Sequence, residues 1–287
     1  MNNSAITEKE IAEFEMFLKN QEREKATIEK YIREVRSFGK WLFGKTLAKE
    51  SVIEWKEYLQ KKDYASVTVN AKLSALNSFF SFMGWDGLRV KFLRVQKRMF
   101  REQSKELTRE EYERLLAVAK REGKERLMLL METVCSTGIR VSEVSYITVK
   151  ALKDGRAAVE LKGKIRVILF PEKLRCKLLH YAEKQRISSG EIFVTKNGTG
   201  LSRRQIWREM KEMCKKADVE STKVFPHNLR HLFATSFYKI CRDIVKLADV
   251  LGHSSIETTR IYLLTTGEEH VRHLEMMKLV TETESIF

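Results

Sequence analysis

Hydrophobic residues in this chain keep one period almost throughout, and the period changes once. Apolar residues recur three and four positions apart from Ile11 onward. That spacing places them on one face of successive amphipathic helices. The exception is residues 157–170, which alternate roughly by two around Lys162-Gly163-Lys164 and read as a β-hairpin with a tight turn. Only two prolines interrupt 287 residues. The pattern dictates a mainly α protein with a small β-sheet, of the α+β class.

Start and stop signals divide the pattern into elements. Thr7 with Glu10 forms a capping box, and Ile11, Phe14, Phe17 and Leu18 follow as one stripe. A second helix opens at Ala26-Thr27 and ends at Gly44. Val52–Leu59 is a third, and Ser66–Met83 a fourth, closed by Gly84. After residue 105, Thr108 and Glu111 cap a helix reaching Ala119, and another spans 124–135. Thr137-Gly138 breaks the pattern, which restarts over Ile139–Ile147. Beyond the hairpin, helices are expected at 172–186, 202–217, 227–241 and 243–251, where Gly252 closes the last. Ser254-Ser255-Ile256-Glu257 opens one carrying Tyr262, and Glu268–Leu279 is a final amphipathic helix. Two domains follow: a helical one over 1–95 and a larger one over 105–287, joined by a basic linker at 96–104.

Charge narrows the partners. Lys plus Arg number 54 against 39 Asp plus Glu, a net charge of +15. Such a cation suits a polyanion. The densest run, Arg89, Lys91, Arg94, Lys97, Arg98, Arg101 and Lys105, is opposed only by Glu102. It reads as a solvated linker or as a basic strap gripping DNA, with Arg94, Lys97, Arg98 and Arg101 the candidate contacts. The four cysteines are isolated at 135, 176, 214 and 241 and form no CxxC pair. No run approaches the roughly 18 apolar residues of a membrane span. The polar, acidic N-terminus lacks the basic-then-apolar order of a signal peptide. These features lead us to expect a cytoplasmic protein.

Four segments could carry chemistry together: Thr137–Glu143, the Lys162-Gly163-Lys164 turn, His227–His231, and Leu251-Gly252-His253 followed nine residues later by Tyr262. Each has an ordinary reading, as a surface arginine, a soluble turn or a core tyrosine. Their conjunction has a chemical one. A phosphodiester under attack gathers charge on its non-bridging oxygens, which two guanidiniums, Arg140 and Arg230, could clamp. His227 and Arg230 share a helix face, and Pro226 suits the first helical position. A tyrosine hydroxyl needs activation before it attacks, and a hairpin lysine can protonate a departing alkoxide. No metal or other cofactor is expected. His270 and His273 lie three apart but lack further ligands at useful spacing.

The segments TGIRVSE, PHNLRHLFAT and LGHSSIETTRIY resemble the boxes of the tyrosine site-specific recombinases, especially the Xer-like recombinases and the integrases of mobile elements. The resemblance covers nearly the whole chain. It implies a core-DNA-binding domain and a catalytic domain forming a C-shaped clamp on duplex DNA. It further implies Arg140 and Arg230 as phosphate clamp, and His227 as base or donor. His253 would be a phosphate ligand, Tyr262 the nucleophile, and Glu143 and His231 orienting residues. The implied reaction is recombination through a 3′-phosphotyrosyl intermediate, serving integration, excision or dimer resolution. Four protomers would assemble on two copies of the DNA site, and accessory proteins are admitted as further partners. The final helix, with Val271, Leu274, Met277 and Leu279, would dock on a neighbouring protomer or on its own domain.

Two alternatives share these residues: a nicking and rejoining enzyme of the type IB topoisomerase kind, and a non-catalytic DNA-binding accessory protein of the same fold. The general acid is open between two lysines. The family pattern GKGxKxR favours Lys162, the residue before the glycine. The turn here is one residue shorter, which keeps Lys164 as the alternative.

Overall fold

The computed structural model describes residues 6–95, 105–161, 164–263 and 267–279. Its chain divides into two compact units, residues 1–97 and 98–287.

The first unit is built from α1 (Glu8–Asn20), α2 (Lys25–Leu42), α3 (Lys49–Lys61) and α4 (Ser66–Phe82). Thr7 caps α1 as its sequence demands: its hydroxyl accepts from Glu10 N at 3.2 Å, and the Glu10 carboxylate accepts from Thr7 N at 2.7 Å. Gly44 and Gly84 take positive φ just past α2 and α4, where a side chain would be strained. The apolar stripes meet in one core, with Phe14, Phe38, Phe79 and Phe80 fully buried. Each such ring contributes about 1.5–3 kcal/mol by leaving water. Two asparagines of α4 fix the chain as it leaves. Asn77 exchanges two hydrogen bonds with the backbone of Val90, and Asn70 does the same with Leu93.

The second unit contains α5 (Arg109–Arg121), α6 (Glu125–Thr137), a 3₁₀ turn (Val141–Tyr146) and α7 (Val149–Lys153). Then come the strands β1 (Arg156–Leu161) and β2 (Lys164–Leu169), and the helices α8 (Glu172–Lys184), α9 (Arg203–Cys214), α10 (Pro226–Cys241) and α11 (Ile244–Leu251). It closes with α12 (Ile256–Arg260), a 3₁₀ turn (Ile261–Leu263) and α13 (Gly267–Met276). The strands pair antiparallel, with Leu161 opposite Lys164, so their connection is residues 162–163. Helices α5, α6, α8 and α9 and the hairpin share the main core. A smaller cluster of Ala234, Leu247, Leu251 and Tyr262 lies under α10 and α11. Among the described residues no helix is long and apolar enough to cross a membrane.

Three expected elements differ, and one of them, the final helix expected to reach Leu279, ends at Met276. The restart over Ile139–Ile147 is a 3₁₀ turn, whose entry is held by the Glu143 carboxylate accepting from Arg140 N at 2.8 Å. The helix after Ser255 ends at Arg260, so Tyr262 sits in the 3₁₀ turn that follows rather than on the helix. Ser255 caps through Glu257 N, one residue earlier than a capping box requires.

Candidate functional site

The site is assembled at the C-terminal end of α11. A helix leaves its last carbonyls without intrahelical partners, and its dipole there favours cations. Gly252 ends α11 in the left-handed conformation at φ +62°, turning the chain sharply into His253. Three arginines from three elements meet these carbonyls. Arg140 Nη2 donates to Gly252 O at 3.3 Å, Arg230 Nη2 to Leu251 O at 2.7 Å, and Arg166 Nη1 to Leu251 O and, at 3.3 Å, to Val250 O.

Arg140 follows the break that Gly138 makes. Gly138 takes φ +63°, and a Cβ there would lie 2.4 Å from the Phe233 ring, so both conformation and space demand glycine. The Gly138 carbonyl in turn accepts from Arg230 Nη1. Arg230 is only 2 % exposed, and burial, then Arg140, pulls its pKa down to about 10. Arg140 is the open member of the pair, its side chain 41 % exposed. Glu143, fully buried, binds Arg140 Nη1 at 3.0 Å and Arg166 Nη2 at 2.9 Å.

His253 stands between Arg230 and Thr259. Its Nε2 lies 3.0 Å from Arg230 Nη2 and its Nδ1 lies 2.9 Å from Thr259 Oγ1. A guanidinium only donates, so Nε2 accepts and the ring proton belongs on Nδ1. Desolvation, then Arg230 and Arg140, pushes its pKa down to about 4, so the ring is neutral near pH 7. The His227 pKa is lowered by desolvation and by the same two arginines.

Tyr262 is 3 % exposed and packs among three imidazoles. Its ring centre is 5.0 Å from His231, edge-on, 6.0 Å from His253, nearly parallel, and 6.5 Å from His227. His231 also lies 3.5 Å from the Glu106 carboxylate. Apolar packing alone does not call for three polarised rings around a tyrosine. An open cleft of about 1000 Å³ reaches the site, lined by Arg140, Ser142, Arg166, Arg203, His253 and Thr258.

Thus six residues named from the sequence, Arg140, Glu143, His227, Arg230, His253 and Tyr262, come together, with His231 against the tyrosine. Others do not enter this description. Lys162 lies outside the described residues, as do Lys97, Arg98 and Arg101 of the basic run. Lys164 opens β2, and its side chain is likewise outside them. Arg94 is exposed in the first unit. Among the described residues no cluster could hold a metal ion. The side chains of His270 and His273 lie outside them. Sequence reasoning missed Arg166 and Thr259. Neither stood out: Arg166 lies in the nearly all-apolar run IRVIL, where the buried face that it shares with Ile168 is visible only in the structure, and Thr259 carries no distinctive chemistry.

Sequence comparison decides the family. The phage integrase family matches residues 105–269, and its N-terminal SAM-like domain matches residues 11–87. The chain belongs to the phage integrase family. Its relatives are tyrosine recombinases. It is 32 % identical over 280 residues to tyrosine recombinase XerA of Thermococcus kodakarensis, covering 94 % of this chain and 95 % of the relative. It is 26 % identical to XerD of Halalkalibacterium halodurans over 84 % of this chain and 87 % of that one. Solved structures share the fold. The XerH recombinase bound to a palindromic difH substrate has a TM-score of 0.72 at 17 % identity, over 97 % of this chain and 91 % of that one. A lambda integrase dimer bound to a core site has a TM-score of 0.73 at 17 % identity, over 99 % and 81 %. This recombinase is therefore an enzyme of site-specific DNA recombination that transfers DNA strands. Neither the topoisomerase nor the accessory-protein alternative is favoured.

Proposed function

We propose that Tyr262 is the nucleophile and that Arg140 and Arg230 clamp the scissile phosphate of a duplex recombination site. The Tyr262 oxygen bonds to phosphorus, its proton passes to a neighbouring base, and the bond to the 5′-oxygen breaks. The 3′ end is then joined to tyrosine, and the departing 5′-oxygen takes a proton from a hairpin lysine, Lys162 or its alternative Lys164. A 5′-hydroxyl of the partner duplex reverses these steps and regenerates the free tyrosine. The bond energy is kept in the phosphotyrosine, so the exchange needs no ATP.

The convergence of two guanidiniums on the end of α11 and of three imidazoles on one tyrosine, joined by the Arg230–His253 contact, carries this reading. Arg230 is rigidly held and Arg140 faces the cleft, so one donor is fixed and the other is free to close on substrate. Glu143 orients Arg140, and His231 orients Tyr262. His227 is the base, or a donor to the phosphate. His253 would donate to the phosphate from Nε2 in the tautomer that carries the ring proton there, with the Thr259 hydroxyl then donating to Nδ1.

The assembly we propose is a tetramer on two duplexes, with accessory proteins as further partners, in the cytoplasm. The 96–104 linker would contribute Lys97, Arg98 and Arg101 to DNA contact, and its neighbourhood Arg94. The exposed Val271 and Leu274 of α13, with Met277 and Leu279 just past its end, would meet the neighbouring protomer.

Trapping on nicked DNA is the test. Wild-type protein should form a covalent adduct whose phosphopeptide maps to Tyr262, while Tyr262→Phe should bind DNA and form none. An adduct at another residue, Tyr146 included, would refute the assignment.

A further inference from the structure

Strand β2 brings into the site an arginine that none of the roles above uses. The Arg166 side chain is 11 % exposed. One edge of its guanidinium reaches Glu143 Oε2, the oxygen that also accepts from Arg140 N. The other Glu143 oxygen holds Arg140 Nη1. The opposite edge of Arg166 donates to the Leu251 carbonyl, which is also the acceptor of Arg230 Nη2. Arg166 therefore shares one partner with each clamp arginine. Gly252 keeps its path open: a Cβ there would lie 2.4 Å from Arg166 Cδ.

Burying a third guanidinium beside two others, with one carboxylate among them, costs stability. Burial and the Arg140 charge both lower the Arg166 pKa. A pair of this kind is weak support for a fold, since apolar side chains of similar volume often replace it without loss. Its geometry is better explained by what it fixes.

Resting on the recombinase reading above, we propose that Arg166 is a positioning residue for the phosphate clamp. It holds Glu143 and the Leu251 carbonyl so that Arg140 and Arg230 converge on the non-bridging oxygens. It thereby joins the hairpin bearing the candidate general acids to the helix end that presents His253.

The test compares full-length wild type with Arg166→Met and Arg166→Lys on suicide duplexes carrying either a phosphate or a methylphosphonate at the scissile position. A methylphosphonate has lost one anionic oxygen and demands less of the clamp. Misplacing reacting groups by about 1 Å can cost on the order of 100-fold, so Arg166→Met should lose about that factor on phosphate and under about threefold on methylphosphonate. Arg166→Lys should fall between wild type and Arg166→Met, and carries the test if the Met variant does not fold. Adding Arg166→Met to Arg140→Met should cost little more than Arg140→Met alone, because the two act as one unit. Equal losses on both substrates, or fully multiplicative losses in the double variant, would overturn the positioning role and leave the nucleophile reading standing. A wild type that forms no adduct at all would defeat both.

Discussion

Arg140 and Arg230 would serve the same phosphate, yet the fold treats them differently, and replacing each by lysine separates catalysis from stability. Lysine keeps the charge and loses the fork. Arg230 is 2 % exposed and satisfies the Gly138 and Leu251 carbonyls and His253 Nε2. An ammonium on a shorter stem cannot reach all three. The Leu251 carbonyl keeps Arg166, but Gly138 O loses its guanidinium, and a buried unpaired carbonyl costs about 1–3 kcal/mol. Arg140 is 41 % exposed, and its partner Glu143 keeps Arg166. Its replacement should therefore cost about 0–1 kcal/mol, as for a wet ion pair. The central difference is about 1.5 kcal/mol, so at about 2–4 °C per kcal/mol for a unit of this size Arg230→Lys should melt about 3–6 °C below Arg140→Lys. Cleavage should not follow that order. Each variant loses a preorganised donor to the developing charge and should cleave a suicide substrate on the order of 10²–10³ more slowly. Thermal unfolding and single-turnover cleavage on the same samples suffice. Near-normal cleavage by both variants would show that charge alone does the work. Equal melting temperatures would show that the buried carbonyl contacts of Arg230 carry no stability.

Two further outcomes bear on proton placement. The His253 pKa of about 4 lies below the ordinary 6.5, so the unfolded chain binds more protons between those values. The stability this ring contributes is complete above about pH 6.5 and is lost as pH falls toward 4. In an NMR titration of the free protein, the His253 ring should stay neutral from pH 8 to 5 with its proton on Nδ1; a midpoint near 6.5 would contradict the arginine contacts. For the general acid, Lys162→Ala should cleave slowly when the leaving atom is a 5′-oxygen and recover when it is sulfur, which leaves without a proton. Lys164→Ala should show mainly a salt-sensitive binding defect. Rescue of Lys164→Ala alone would move the role to that residue.

Most of the fold was legible because local rules and tertiary packing agree. Thr7 and Thr108 cap as their sequences indicate, Pro226 opens α10, and Gly138 and Gly252 take the left-handed conformation after α6 and α11. Misjudged elements are those set by tertiary contacts. Helix α12 stops early where Thr259 is buried and bound to His253, so the turn holding Tyr262 is defined by a contact absent from the local sequence. Helix α7, five residues started by the Thr148 hydroxyl, is too short to show a period. Arg166 was hidden by its strand. Ile165, Val167 and Leu169 face outward at 73, 50 and 68 % exposure, while Arg166 shares a face with buried Ile168. The run IRVIL is almost wholly apolar, so composition could not tell its two faces apart. The site residues were easier to name than to connect, because their side chains have distinctive chemistry and the carbonyls that hold them belong to any residue.

That use of carbonyls explains an imbalance in the site. Of the three guanidiniums, Arg140 and Arg166 share the one carboxylate of Glu143 and Arg230 is held by carbonyls, in a unit where many other basic side chains pair with acids. Had each arginine been fixed by its own carboxylate, the pairs would be neutral and would offer an incoming phosphodiester little attraction. A carbonyl fixes a guanidinium by its dipole and leaves the net charge in place. Helix α11 supplies three such carbonyls, Val250, Leu251 and Gly252, within one turn, and its negative end stabilises the cations without cancelling them. The repulsion among the arginines is thus met during folding, before any DNA arrives. A phosphate bound there, as proposed, would relieve it, so the same charges that weaken the empty site would favour the occupied one, and most strongly the transition state, where the phosphoryl oxygens carry the most charge.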